Sequence, residues 1–395
     1  MTPEDSMASA LDNITIIDLT SYLAGPFGCA LLGDLGARVI KVEAPGGDAF
    51  RLYPTSLEGE NRTFLGANRN KRSIIIDLKK KEGLAALYRL IEQADVVIHN
   101  FRPSVPEALG IDYETVKRLR PDLIYCALTG YGQTGPLSGH PGFDQMLQCF
   151  SGIADAQGTG TGRPQILLGS TVDFYTSTLV AYGILGALVH RMRTGEGQQV
   201  DVSLLRSSLT LQVGRMIWAE KEPRDVPREL PAGRITDAHP TKEGFLYVQA
   251  STPPFWKALC EILGLPHLAS DPRFDTLRKR AAHFEEIMPQ IKAALMTKTA
   301  LEWEALMIGR VPGIAIRDVG EMFVHPQVLA EDLVVEHDHP AVGKYKAVTT
   351  AVGYSASPAK TTRAPMLGEH TDEVLREFAF DEAAILALRE AQAVL

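Results

Sequence analysis

A chain of 395 residues exceeds the size at which one hydrophobic core usually stops growing, so two domains are expected. With 45% hydrophobic and 22% charged residues it reads as a globular protein, and no apolar run approaches the ~18 residues that a membrane span needs. A net charge of −8 excludes the broad basic face of a nucleic-acid binder but leaves room for a local basic pocket.

The opening segment, MTPEDSMASALDN, lacks the basic stretch and apolar core of a secretory signal, so a cytoplasmic location is the expectation. Cys29, Cys126, Cys149 and Cys260 are scattered, with no CxxC spacing and no adjoining histidines, and read as buried thiols rather than metal ligands.

In chain order, short β-branched runs alternate with helical patterns. Strands are predicted at 14–19, 38–43, 73–77, 95–99 and 122–128, with helices at 26–35, 81–93 and 113–119. This repeat of strand, helix, strand predicts an α/β fold with a doubly wound parallel sheet. A long, largely buried helix follows at 171–192 and ends in RMRTGEGQQ, where basic residues suit a helix C-terminus and glycines stop it. A strand at 199–202 and a helix at 203–219 complete this part. The segment AEKEPRDVPRELPAGR then reads as a linker. Beyond it come a strand at 245–249, helices at 254–263, 280–296 and 300–309, a strand at 347–352 and a last helix from Asp372. The expected organisation is a large domain over 1–225, a small α+β domain over 233–324, and a return of 325–395 to the large domain.

Three places can carry chemistry. The glycine-rich turn after the first strand, TSYLAGPFGCALLGDLGARVIKVE, can bring backbone N–H groups to a phosphate at a helix start, or simply connect strand to helix. It cannot be fitted to GxGxxG, which argues against a nicotinamide cofactor despite Glu43 at the end of the second strand. At the end of a predicted strand, Asn100, Phe101 and Arg102 are placed to meet an adenosine or pyrophosphate group, or else form a surface loop. Asp173 opens the long helix, where the dipole accounts for a carboxylate without chemistry. The same carboxylate, kept ionised by nearby backbone donors, can be a nucleophile toward an acyl carbon. Taken singly, none of the three is decided.

Together they resemble the class III coenzyme A transferases, the CaiB/BaiF family, from about Leu11 to the LGEHTDEVL stretch at Leu367. The carrying motifs are AGPFGCALLGDLGARVIKVE, GGDAFR from Gly46, NKRSIIIDLK from Asn70, NFRP from Asn100, LTGYGQTGP from Leu128, the Asp173 helix with HRMRTGEGQQVDVSL, and LGEHTDEVL, all in register. The resemblance implies a Rossmann-like large domain and two ring-shaped chains interlinked as a homodimer. It makes Asp173 the acyl-accepting carboxylate and places Tyr22, Leu23, Ala24, Lys71, Arg72, Asn100, Phe101, Arg102 and Tyr131 around coenzyme A, bound as acyl-CoA substrate. Neither a metal nor a nicotinamide is implied. Gly169 and Ser170, just before Asp173, are candidate oxyanion donors.

The sequence departs from family patterns at three places. Formyl/oxalate transferases of the family have glutamine where Leu23 stands, so oxalate is not expected as acceptor. They have basic residues where Thr129 and Ala108 stand, which leaves Arg102 and Arg51 as substitutes for phosphate contacts. The racemases of the family carry Gly-His-Asp where this chain has Gly142-Phe143-Asp144, and phenylalanine cannot shuttle a proton; His140 nearby reads as a loop residue. A coenzyme A transferase is therefore expected over a racemase, an oxidoreductase or a non-catalytic acyl-CoA-binding protein. Segments 232–240 and 313–317 are expected to shape the acyl pocket, where Arg234 either pins a second carboxylate or is a solvated charge.

Overall fold

The computed structural model describes residues 9–158, 162–223 and 235–395. Six strands form one sheet: β1 Thr15–Asp18, β2 Arg38–Glu43, β3 Lys71–Ile75, β4 Val96–His99, β5 Ile124–Thr129 and β6 Gln199–Ser203. All neighbours pair in parallel, in the order β3-β2-β1-β4-β5-β6, so the winding direction reverses between β1 and β4. Alternate side chains feed two cores, because successive residues of a strand point to opposite faces. Ile17, Ile40, Ile74, Val97 and Tyr125 face the Lys81–Ile91, Thr371–Glu377 and Glu382–Glu390 helices. Ile16, Val39, Val96, Ile98, Ile124 and Cys126 face the Ala24–Asp34 and Thr171–Thr194 helices. The fold is thus mixed α/β around a large parallel sheet.

Those last two helices pack closely. A Cβ on Gly28 would stand 2.8 Å from Val180 Cγ1 and 3.0 Å from Ser177 O, so only glycine lets them approach. Contrary to the expectation from sequence, the 24-residue Thr171–Thr194 helix is long and apolar enough to cross a membrane by length and composition, with mean hydropathy 1.4 over an 18-residue stretch. One face, with Val172, Val180, Ile184 and Leu188, is buried in the core.

The chain divides into two compact units, one holding residues up to Trp218 together with Leu329–Leu395, the other Ala219–Val328. The second unit contains the antiparallel strands β7 Asp237–Pro240, β8 Phe245–Val248 and β9 Gly313–Ala315. Leu246, Val248, Trp256, Leu259, Ile287 and Trp303 form its core. In the first unit, β10 Val334–His339 and β11 Gly343–Val348 make an antiparallel hairpin.

Several elements differ from their sequence-based expectation. The 203–219 helix stops early, spanning Leu204–Thr210, before Gly214. The 280–296 helix is two, Leu277–Ala282 and Phe284–Leu295, with His283 out of helical geometry between them. The last helix is also two, separated at Ala379, which is left-handed with φ 62°. The 347–352 strand begins earlier, as β11. Most of the linker, and Arg234 with it, lies outside the described residues.

Candidate active site

Ligands of open parallel sheets bind outside the carboxyl ends of the strands, where strand order reverses. Here that point lies between the loops leaving β1 and β4, and the chain has tied those loops together. Ser21 N–H donates to Asn100 Oδ1 at 3.0 Å, and Asn100 Nδ2 donates back to Ser21 O at 2.7 Å. Asn100 therefore acts as a clamp across the switch point. Next to it Tyr22 is left-handed, with φ 70°, and its N–H donates to Asp48 Oδ1 at 3.1 Å. Leu23 and Ala24 are buried, so this turn presents the Tyr22 ring and backbone rather than their side chains.

Phe101 and exposed Arg102 leave the same edge after β4, and half-buried Tyr131 leaves it after β5, edge-on to Phe150 at 5.6 Å. Phe101 is held from below by His99, a residue that sequence reasoning passed over. The rings stack at 5.4 Å with 15° between planes, and His99 Nδ1 accepts the Phe101 N–H at 3.2 Å. An accepting Nδ1 puts the imidazole hydrogen on Nε2, which is buried and has no hydrogen-bond partner among the described residues. Burial pushes the His99 pKa down to about 4, so this ring is neutral.

Lys71 and Arg72, expected around coenzyme A, and Arg51, expected at a phosphate, are placed differently. Lys71 is fully buried, with Nζ 2.7 Å from Asp18 Oδ2 and 2.9 Å from Asn68 Oδ1. Burial alone would raise the Asp18 carboxyl, but Lys71 and Lys41 outweigh it and hold Asp18 below its ordinary value. Arg51 is buried between Glu43 and Glu60. Arg72, one residue after Lys71, points to the opposite face of the sheet and pairs with Glu373 and Glu377. Lys71 and Arg72 also line a pocket of about 280 Å³ with Asn70, Thr362, Arg363, Pro365 and His370. As arranged, these three charges face carboxylates, and Arg102 alone of the expected cations lies exposed at the carboxyl edge.

Asp173 sits in the first turn of the Thr171–Thr194 helix, behind Gly169 and Ser170, both left-handed with φ 89° and 56°. Sequence reasoning expected backbone donors to keep it ionised. Instead the donors serve a second, unforeseen carboxylate: Asp144 Oδ2 accepts from Val172 N at 2.6 Å and Asp173 N at 3.1 Å, and Asp144 Oδ1 accepts from Gln148 Nε2. Burial first, and the Asp144 charge second, push the Asp173 pKa up to about 7. The signal in the sequence was an aspartate opening the Asp144–Phe150 helix with Gln148 four residues on. Cys149 on that helix is exposed, whereas Cys29, Cys126 and Cys260 are buried as expected. Among the described residues, no three His, Cys, Asp or Glu side chains gather as a metal site.

Fold and edge together define an α/β protein with its ligand edge at a strand-order switch. The profile of CoA-transferase family III matches residues 11–371, and the chain belongs to that family, also written CaiB/BaiF. It is an enzyme of that class, which acts on coenzyme A thioesters. The succinyl-CoA:glutarate CoA-transferase of Mus musculus is 35% identical over 96% of this chain and 89% of its own length. The acetyl-CoA:oxalate CoA-transferase of Acetobacter aceti is 35% identical over 94% of this chain and 96% of its own. A CaiB/BaiF protein of Brucella suis superposes with TM-score 0.83 at 31% identity, covering 94% of this chain and 99% of the other. Two relatives at equal identity name different acceptors, so family membership leaves the acyl group open.

Proposed function

We propose that this enzyme moves coenzyme A from an acyl-CoA donor to a carboxylic acid through covalent intermediates on Asp173. The supporting observation is a half-buried carboxylate at a helix start on the ligand edge, tuned to about 7 by burial and by Asp144. An anion in such a site is poorly solvated and correspondingly nucleophilic. Asp173 attacks the donor carbonyl carbon; the C–S bond breaks, giving a mixed anhydride and coenzyme A thiolate. The thiolate attacks the aspartyl carbonyl, the anhydride C–O bond breaks, and the donor acid leaves an aspartyl thioester. The acceptor carboxylate then repeats the two steps in reverse order and frees Asp173. Each step exchanges one activated acyl bond for another.

The oxyanion donors assigned to this scheme are the N–H groups of Gly169 and Ser170, which make no hydrogen bond to any described residue. Phe143 stands where a racemase has histidine, supporting transfer over α-proton exchange. Two copies of the chain are further proposed to associate, on the strength of the apolar outer face of the Thr171–Thr194 helix, where Tyr182 is 74% and Met192 84% exposed. The decisive experiment incubates the enzyme with acyl-CoA alone and looks by mass spectrometry for a coenzyme A adduct on the peptide carrying Asp173. Asp173→Asn should fold, form no adduct and lose transfer; retained turnover in that variant would end the proposal.

A further inference from the structure

The loops after β1 and β2 and the start of the Asp144–Phe150 helix bring four rings together. Around Tyr22 stand Phe50, Tyr53 and Phe143, with centroids 5.7, 6.3 and 5.6 Å from the Tyr22 ring, each edge-on to it. Phe50 and Tyr53 are also edge-on to each other at 5.1 Å. Two of the four present much of their surface outward, Tyr53 at 48% and Phe143 at 44% exposed.

This cluster is tied to the nucleophile at two points. Phe143 directly precedes Asp144, whose carboxylate holds the backbone of Asp173. Tyr22 directly precedes the Ala24–Asp34 helix by one buried residue, and Phe27 of that helix is edge-on to Phe174 at 5.2 Å, next to Asp173 in the chain. Three cations lie near these loops, Lys41 in β2, Lys71 in β3 and Arg51 beside Phe50, and each is turned inward. Lys41 lies 2.8 Å from Asp48, Lys71 is on Asp18, and Arg51 is between Glu43 and Glu60. What the loops offer a ligand is therefore aromatic surface and two phenolic hydroxyls.

We infer that the rings of Tyr22, Phe50, Tyr53 and Phe143 form an acyl cup for a monocarboxylic acid with an aryl or compact apolar chain, and that it disfavours dicarboxylic acyl groups. Aryl and branched chains gain area and edge-to-face contacts against these rings. A second carboxylate would be desolvated without a cation from these loops, beside two carboxylates that already repel one another at Asp144 and Asp173. The specificity follows from where the nearest charges are spent: Lys41, Lys71 and Arg51 neutralise carboxylates inside the fold, exposed Arg102 belongs to the loop after β4, and the cluster itself presents rings.

This inference rests on the transfer reading of Asp173, and one experiment separates their failures. The full-length enzyme is mixed with single donors, phenylacetyl-CoA and 3-methylbutanoyl-CoA in one arm, succinyl-CoA and glutaryl-CoA in the other, and the rate of adduct formation on Asp173 is followed by mass spectrometry. The apolar donors are expected to load Asp173 at least ~30-fold faster, the scale on which pocket contacts discriminate acyl groups. Dicarboxylic donors loading as fast or faster would overturn the cup and leave the transfer reading intact. No adduct from any donor would overturn both. In Phe143→Arg, at an exposed position, the ratio of phenylacetyl to succinyl loading should fall by about 10-fold, since a cation then meets the second carboxylate; an unchanged ratio would remove Phe143 from the cup.

Discussion

The proximity of Asp144 and Asp173 fixes how activity depends on pH. In the proposed role of nucleophile Asp173 must be an anion, so with its pKa at about 7 kcat/KM should rise through that value. Asp144→Asn keeps a side-chain oxygen for the Val172 and Asp173 N–H groups but removes the neighbouring charge. The rising limb should then move to lower pH, though not all the way, because burial is the larger cause; a limb that stays in place would show that Asp144 acts only as a helix cap. The same displacement is a stability effect. Folding raises Asp173 above its ordinary 3.8, so its contribution is intact below about pH 4 and is lost as pH rises through the folded value. Asp173→Asn is expected to be more stable than the parent at pH 8 by at most ~4 kcal/mol, a gap that closes toward pH 4 and that urea unfolding at pH 5 and 8 would measure. His99 allows a test of a different kind, because it holds Phe101 by two separable contacts. His99→Phe keeps the ring stack and loses the acceptor, while His99→Asn keeps an acceptor and loses the stack. Each should raise KM for acyl-CoA about 3- to 10-fold with little change in kcat, the size of one ordinary hydrogen bond or ring contact. An unchanged KM in both would detach His99 from the binding loop.

Among the elements, the contact between the Ala24–Asp34 and Thr171–Thr194 helices carries the most consequence, because it joins the glycine-rich turn to the helix that Asp173 opens. Gly28→Ala forces a methyl against Val180 and the Ser177 carbonyl, and should cost ~1–3 kcal/mol in urea unfolding. Adding Val180→Ala removes one of the two obstacles, so the double variant should lose less than the sum of the singles; strict additivity would mean the helices do not meet there. This interface also marks the limit of what the sequence discloses. The strands β1, β4 and β5 could be read because they are buried on both faces and so appear as apolar runs, and β2, Arg38–Glu43, was placed to the residue. β10 was missed, and β11 was placed too late, because VVEHDH and GKYKAV mix polar and apolar residues without the clean alternation of a half-buried strand. At the site, Asp173 and Asn100 stand inside motifs, whereas Asp144 matters only through its reach to a helix 28 residues away. Lys71, Arg51 and Arg72 looked like coenzyme A contacts because a sequence displays a charge and not the carboxylate it folds against.

For the molecule as a whole, the Thr171–Thr194 helix poses a question of solvent. A helix apolar on all sides is buried on all sides, in a protein core, against a partner or in a bilayer. Here only 44% of its most apolar window is buried, and Tyr182, Val189 and Met192 lie outward on neighbouring turns. Further along the same unit Val213 and Met216 are also exposed, which extends the apolar surface beyond what a monomer of this size ordinarily leaves open. In the proposed association a second copy of the chain would cover both patches, and Gly186, Val189, His190, Arg193 and Thr194 line a groove on this helix into which its side chains could insert. In detergent-free buffer the protein should therefore sediment at twice its 43.1 kDa chain mass. Placing charge at Tyr182→Glu and Met192→Glu together should weaken that association by at least ~100-fold, since central interface anchors cost about 2 kcal/mol or more each when disrupted. Because Asp173 begins this helix, transfer activity should fall along with the dimer as the protein is diluted. Sedimentation as a monomer that pellets with lipid vesicles would assign the helix face to a membrane surface instead, and the association of two chains would have to be abandoned.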